Sequence, residues 1–163
     1  MKKLLLLVLT TLLSATASAQ ERPLWMRFCA ISPDGSTIAF AYKGDLYTVP
    51  STGGTAKQLT TNPAYEASPV WSPDGSKIAF VSDREGALNV YVIPSTGGEP
   101  RMLTTSSHNK SVIAFKDNDN VIFSMADMPT KQSIIAPVSK FPQVYEVSVK
   151  GGRPHLFSAL TIV

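Results

Sequence analysis

Apolar and polar positions along this chain alternate in short runs, which is typical of β-strands rather than helices. In residues 89–93, Val90 and Val92 fall on one face, and Tyr91 and Ile93 fall on the other. Apolar runs at 67–71 and 77–82 precede this segment, and a more polar run at 101–104 follows it. The pattern predicts four short strands in this stretch and no helix after the first 20 residues.

This four-strand pattern is repeated along the chain. Ile31–Phe40 returns 40 residues later as Trp71–Phe80, and Leu46–Gly54 returns 44 residues later as Val90–Gly98. The change in offset indicates a four-residue insertion in the second unit, around residues 83–88. A third, altered copy covers 115–123 and 144–152, with a Pro-, Ser- and Lys-rich insertion at about 128–142.

Four strands in each repeat of about 40–45 residues predict the blades of a β-propeller. We expect an all-β, incomplete propeller with about three four-stranded antiparallel blades in an open arc, at about 24–61, 65–105 and 111–160. A β-sandwich explains the strands but not the near-identical recurrence of the turns. Because an open arc exposes apolar faces and strand edges, we expect the isolated chain to associate with itself.

The recurring turn residues are interpreted as structural. Proline presets the backbone, aspartate bonds nearby backbone and glycine accepts a positive φ, so each Ser-Pro-Asp-Gly sequence predicts a tight hairpin. Paired glycines predict further hairpins rather than phosphate loops, because no Gly-Lys-Ser/Thr follows them. These residues are Ser32, Pro33, Asp34, Gly35, Ser72, Pro73, Asp74, Gly75, Gly53, Gly54, Gly97, Gly98, Gly151 and Gly152.

The N-terminus is interpreted as a cleavable signal peptide at residues 1–19, leaving 20–163 as the propeller. Lys2 and Lys3 precede the apolar run Leu4–Leu13, and the small residues Ala17 and Ala19 precede the predicted cleavage point, which follows Ala19. The apolar run is shorter than a bilayer span. The formal charge of +3 falls to +1 without the two lysines, which argues against a nucleic-acid or membrane-binding surface. An exported, periplasmic protein is expected.

No catalytic, cofactor or metal site is predicted. His108 and His155, the two imidazoles, lie in a polar connector and at the start of an outer strand, where surface positions are expected. Asp117–Asn120 lacks the bidentate glutamate of a calcium loop and is interpreted as a degenerate turn. Cys29 is expected to be a small buried residue. For Asp83–Arg84, an ion pair or turn bond is favoured, and contact with peptide termini is the alternative.

The sequence Ser-Pro-Asp-Gly-x-x-Ile-Ala-Phe resembles the WD40-like (PD40) repeat of TolB, prolyl oligopeptidase propellers and tricorn-type proteases. With the segments 23–27, 42–47, 62–66 and 82–86, the chain is similar to the start of a secreted tricorn-like protease of the S41 group. The resemblance implies that the propeller guides or filters peptide substrates for a downstream serine-protease core. It also implies that further blades close the ring. None of the family's catalytic positions maps to this sequence, so enzyme activity stays uncertain.

The alternative is a TolB-like periplasmic propeller that binds another envelope protein. TolB-like proteins carry an α/β domain before the propeller, whereas only Gln20–Trp25 separates the predicted signal from the first blade. That spacing favours the tricorn-like interpretation.

Overall fold

A computed structural model describes residues 25–125 and 142–158, which form three four-stranded antiparallel sheets in chain order. The first blade contains β1 (Arg27–Ile31), β2 (Thr37–Tyr42), β3 (Asp45–Pro50) and β4 (Lys57–Gln58). The second contains β5 (Glu66–Trp71), β6 (Lys77–Ser82), β7 (Asn89–Pro94) and β8 (Arg101–Met102). The third contains β9 (Lys110–Phe115), β10 (Asn120–Met125), β11 (Gln143–Ser148) and β12 (His155–Ser158).

The two central strands of every blade carry a phenylalanine opposite a tyrosine. The pairs are Phe40–Tyr47, Phe80–Tyr91 and Phe123–Tyr145, each stacked with ring centroids 5.8 Å apart. Aromatic cross-strand pairs of this kind stabilise a sheet and fix its register. The altered third copy therefore keeps the same central hairpin as the other two blades.

Each blade has an aromatic face and a small-residue face, because side chains alternate along a strand. In the second blade the aromatic face comprises Ile78, Phe80, Tyr91 and Ile93, and the small-residue face comprises Ala79, Val81, Val90 and Val92. The aromatic face packs on Ala39, Ala41 and Leu46 of the first blade. The small-residue face packs on Val121, Phe123, Tyr145 and Val147 of the third blade. The blades thus stack in series, with a first junction (blades one and two) and a second junction (blades two and three).

The inner strands β1, β5 and β9 link the blades. β5 packs against β1, β2 and β9. The Glu66 amide donates to the Gly44 carbonyl at 2.8 Å across the first junction, and the Lys110 amide donates to the Leu88 carbonyl at 2.9 Å across the second. These equivalent bonds satisfy backbone groups at the start of each inner strand. Both junctions therefore use the same backbone connection.

β1 and β5 also contain equivalent bulges. Their pairing shifts register between Arg27 and Ala30 and between Ala67 and Val70, respectively. Phe28 and Ser68 lie in these gaps with φ values of 54° and 55°. An extra residue bends a strand and strengthens its twist, as the inner strand of a blade requires.

The predicted fold class is confirmed: the described chain is all-β, with three four-stranded antiparallel blades stacked in series. The insertion in the second unit is also found, because residues 83–88 join β6 to β7 where only 43–44 join β2 to β3. The expectation for Cys29 is wrong, since this side chain is exposed. The reason is its place on β1 of the first blade, which packs on only one other blade within the described residues, whereas the second blade is packed on both faces.

Several predicted features lie outside the described residues. They are the signal peptide at 1–19 and nearly all of the insertion at about 128–142. Within the two described ranges, no helix has the length and apolar character needed to cross a bilayer.

Candidate functional site

The Ser-Pro-Asp-Gly turn of the second blade joins β5 to β6 through a network around one carboxylate. Asp74 Oδ1 accepts hydrogen bonds from the Ser72 hydroxyl at 2.6 Å and from the Ser76 amide at 2.9 Å. Ser72 Oγ in turn accepts the Lys77 amide at 2.9 Å. Gly75 has a φ of 70°, a conformation that glycine adopts without strain. The aspartate therefore organises the hairpin from within.

The turn of the first blade repeats this network. Asp34 Oδ1 accepts the Ser32 hydroxyl at 2.5 Å and the Ser36 amide at 3.1 Å, and Ser32 Oγ accepts the Thr37 amide at 2.9 Å. Gly35 has a φ of 73°. Hydrogen bonds, led by those from Ser32 and Ser72, lower the pKa of Asp34 and of Asp74 to about 2. Both carboxylates stay ionised at any physiological pH.

The paired glycines occupy the turns before the outer strands β4, β8 and β12. Gly53, Gly97 and Gly151 have φ values of 90°, 93° and 85°, and each amide donates to the carbonyl three residues earlier. Gly54, Gly98 and Gly152 follow with φ values of 125°, 129° and 120°. Such a pair of positive φ angles is unfavourable for any residue with a Cβ.

The first two Ser-Pro-Asp-Gly turns lie side by side at the first junction. A Cβ placed on Gly75 would be 3.8 Å from Pro33 Cδ, and Trp71 Nε1 donates to the Ala30 carbonyl at 3.0 Å. Between the turns is a cleft of about 640 Å³, which we name the turn groove. Its lining includes Ser32, Pro33, Asp34, Trp71, Pro73, Asp74 and Gly75. The groove therefore brings two permanently ionised carboxylates to one opening.

The corresponding turn of the third blade is built differently. Asp117 Oδ1 accepts the Asp119 amide at 2.8 Å, so an aspartate still organises the turn. Asn118 reaches the second blade: its Oδ1 accepts the Asp74 amide at 3.0 Å, and its carbonyl accepts Lys77 Nζ at 3.2 Å. This altered turn connects the second and third blades.

The charged segment Asp83–Arg84 has a structural role, which is the favoured of its two interpretations. Arg84 forms an ion pair with Glu66, which is fully buried, and its guanidinium lies 4.6 Å from the centre of the Tyr91 ring. Asp83 Oδ1 accepts the Tyr65 amide at 2.8 Å. Burial raises the pKa of Glu66, while Arg84 acts in the opposite direction. The pair joins the start of β5 to the β6–β7 connection within the second blade, beside Tyr91 on the face that packs on the first blade.

A lysine occupies the equivalent place at the second junction. Lys110 is buried, and its Nζ donates to the Ser106 carbonyl at 2.8 Å and to the His108 carbonyl. Burial lowers its pKa to about 8. Neither this buried lysine nor the buried Glu66 was predicted from the sequence, because charged side chains are ordinarily exposed.

The histidines lie apart from each other. His155 is exposed, as expected, and its Nε2 is 3.8 Å from Glu146 Oε2, which also pairs with Lys116 Nζ at 3.0 Å. His108 is half-buried with a buried Nδ1, so the expectation of a surface position is wrong in its case. The connector folds back over Lys110, and this covers the ring. Glu146, buried on the outer face of the third blade, was missed by sequence reasoning.

These features define a class of protein. Four-stranded antiparallel blades, repeated turn networks and serial face-to-face packing are those of a β-propeller. The family model of the tricorn protease N-terminal β-propeller domain matches residues 23–160, and the chain therefore belongs to that family.

Similarity to individual proteins is limited to parts of them. Tricorn protease homolog 1 of Streptomyces coelicolor is 37% identical over 68 residues, covering 42% of this chain and 6% of the relative. Dipeptidyl-peptidase 5 of Porphyromonas gingivalis is 34% identical over 71 residues, covering 37% and 10%. The crystal structure of TolB from Acinetobacter baumannii has a TM-score of 0.67 at 18% identity, covering 83% of this chain and 33% of that one. The chain thus spans a tenth or less of these two curated relatives, and the TolB likeness concerns the fold.

Proposed function

We propose that this chain supplies blades of a β-propeller that guides or filters peptide substrates for the protease core of a longer, tricorn-like protein. We place that protein among S41-type serine peptidases, exported to the periplasm behind a cleaved signal peptide. Membership of the tricorn propeller family supports the substrate role. The basic and apolar start of the sequence supports export.

The observation that carries the proposal is the turn groove. Asp34 and Asp74 line its opening, and their pKa values of about 2 keep both negatively charged. A free peptide N-terminus or a lysine side chain carries the opposite charge near neutral pH. Fixed charges in a cleft raise the local concentration of oppositely charged ligands. We therefore infer a preference for peptides with a free ammonium group.

The test measures binding of a fluorescein-labelled Lys-Ala-Lys-Ala peptide by anisotropy at low salt. In the double variant Asp34→Asn/Asp74→Asn, each amide oxygen can still accept the hydrogen bonds made to Oδ1, while the charge and the serine hydroxyl bond to Oδ2 are lost. Exposed ion pairs are worth about 0.2–1 kcal/mol each, so the Kd is expected to rise about threefold to tenfold. The matched control is Asp117→Asn, in the turn of the third blade, which should leave the Kd unchanged. An unchanged Kd in the double variant would contradict the proposal.

A second experiment uses the longer protein with its protease core. There the same double variant is expected to raise KM for cationic peptides and to leave kcat unchanged, because guidance acts on substrate binding and not on bond cleavage. A fall in kcat with no change in KM would count against substrate guidance.

The alternative function is a TolB-like module that binds another envelope protein. Its support is the TM-score of 0.67 to TolB over 83% of this chain. A tight complex with a folded partner that survives Asp34→Asn/Asp74→Asn, together with no peptide binding, would favour this alternative.

A further inference from the structure

The second junction also opens outward into a groove. Its volume is about 480 Å³, and Val92, Val149 and the exposed Pro94 supply its apolar floor. We name it the outer groove. Around its rim are three cations, Lys77, Arg101 and Lys150, and one carboxylate, Glu99. The groove thus combines an apolar floor with an excess of positive charge.

At the first junction, the position equivalent to this rim carries a hydrogen bond between the two blades. Lys57 on β4 donates from Nζ to the Thr96 carbonyl at 2.7 Å, joining the outer strand of the first blade to a turn of the second. Arg101 on β8 is the equivalent of Lys57, since both pair with the same position of the third strand in their blades, Val92 and Thr48. Lys150, which precedes Gly151 as Thr96 precedes Gly97, replaces threonine. Arg101 and Lys150 therefore both line the outer groove at the positions that Lys57 and Thr96 occupy at the first junction.

The rim cations have no anionic partner in the parts of the chain that the structure describes. Lys77 Nζ bonds only neutral oxygens, the Asn118 carbonyl at 3.2 Å and the Ser76 hydroxyl at 3.3 Å. Arg101 and Lys150 form no ion pair within residues 25–125 and 142–158. Like charges in proximity favour an anionic ligand that relieves their repulsion. The charge of the rim accordingly selects a carboxylate-bearing partner.

A small inorganic anion would leave the apolar floor uncovered. A ligand that fits must place an apolar side chain on the floor and carboxylates against the rim. An extended peptide can do so, because its side chains alternate in direction with a period of two residues. β8 is the edge strand of its sheet, so its outer backbone groups are available to an added strand. The positive rim, the apolar floor and the free edge of β8 together fit an extended peptide segment.

We propose that the outer groove binds an extended, acidic segment of a partner protein in which carboxylate and aliphatic side chains alternate. The carboxylates lie against Arg101 and Lys150, and an aliphatic side chain covers Val92 and Val149. This proposal does not rest on peptide guidance by the turn groove. The turn groove carries the opposite charge and would repel the same ligand.

The test uses the full chain and a blocked, fluorescein-labelled Glu-Val-Glu-Val-Glu peptide, with anisotropy read at low and high salt. Lys150→Thr, which imports the threonine of the first junction, and Arg101→Gln are each expected to raise the Kd about threefold. Higher salt should weaken binding to the wild type more than to either variant. Lys57→Gln is the matched control at the first junction and should leave the Kd unchanged, as should Asp34→Asn.

Two further probes separate the proposal from non-specific attraction. Glu-Gly-Glu-Gly-Glu tests the apolar floor and should bind at least fivefold more weakly. Vesicles of anionic lipid test a membrane surface and should not compete with the peptide. Equal binding of the glycine peptide, displacement by the vesicles, or a Kd that Lys150→Thr leaves unchanged would each overturn the proposal. Failure here, with retained binding of the cationic peptide to the turn groove, would leave the proposed function standing.

Discussion

The two junctions between blades share their apolar packing and one backbone hydrogen bond, and they differ in the charged side chains beside it. At each junction a phenylalanine–tyrosine pair of one blade lies on small aliphatic side chains of the blade before it. Buried charge at the start of the inner strand is Glu66 at the first junction and Lys110 at the second. The outer ends differ as well, with Lys57 bonded at the first and Arg101 without an ionic partner in the described chain at the second.

The comparison separates what makes a blade from what distinguishes one blade from another. Apolar faces and the amide–carbonyl bonds of Glu66 and Lys110 are repeated, so they specify the stacking. A buried carboxylate or a buried ammonium is accepted at the same position because each finds polar partners. Polar groups therefore give each junction its own response to pH, salt and ligands.

The largest expected effect is loss of the shared packing. Phe80→Ala should lower the free energy of unfolding by about 3–5 kcal/mol, because it removes a fully buried ring and leaves a cavity. Phe123→Ala should cost a similar amount at the second junction. Urea unfolding measures both. The matched control is Ile113→Ala, an exposed side chain, with an expected loss below about 1 kcal/mol. A small loss for Phe123→Ala alone would show that the third blade packs loosely.

Next comes the ion pair that marks the first junction. Arg84→Met leaves the buried carboxylate of Glu66 without its charge partner and should cost about 2–3 kcal/mol at pH 7. The pKa of Glu66 is already raised by burial, so the folded protein takes up this proton at a higher pH than the unfolded chain. Lowering the pH towards the unfolded value of 4.5 should therefore reduce the loss. Arg101→Met is the control, and an equal loss at pH 5 and pH 7 would contradict the assignment.

For the buried Lys110 at the second junction, we expect stability to depend on pH in the opposite direction. Burial lowers the pKa of Lys110 from 10.5 to about 8, so the folded protein releases this proton at a lower pH than the unfolded chain. The contribution of this group to stability should rise as pH increases from about 8 to 10.5. Urea midpoints at pH 7.5 and 9.5 should thus differ more in the wild type than in Lys110→Met. An equal shift of the urea midpoint with pH in both proteins would show that Lys110 does not cause it.

The smallest effect concerns the outer ends of the junctions. Lys57→Met removes an exposed hydrogen bond to the Thr96 carbonyl and should cost less than about 1 kcal/mol. Arg101→Met should be neutral or slightly stabilising, because it removes one of the positive charges on the rim of the outer groove. Thermal melts at low salt compare the two. A larger loss of stability for Arg101→Met than for Lys57→Met would contradict the distinction between a bonded Lys57 and an Arg101 without an ionic partner.

Sequence patterns predicted the elements that repeat. The recurrence of Ser-Pro-Asp-Gly and of the paired glycines marked the hairpins, and alternation placed Val90 and Val92 opposite Tyr91 and Ile93. Those features are local, since turn chemistry and strand period act within a few residues. They were sufficient for the fold class and for the insertion at 83–88.

What the sequence did not reveal arises from contacts between residues far apart in the chain. The Glu66–Arg84 pair joins residues 18 positions apart, and the Asn118–Asp74 contact joins residues 44 positions apart. No local pattern marks such pairs. The turn groove likewise depends on two hairpins meeting at a junction, although each hairpin was visible alone. The exposed side chain of Cys29 follows from its place in the first blade rather than from its residue type.

Amide hydrogen exchange followed by NMR tests the serial stacking of blades most directly. The amides of Glu66 and Lys110 donate across the two junctions, whereas those of Lys57 and Arg101 lie on exposed two-residue outer strands. Slow exchange at both junction amides, with protection well above that of the outer strands, is the expected result. Exchange of Glu66 and Lys110 as fast as that of the outer strands would contradict the account.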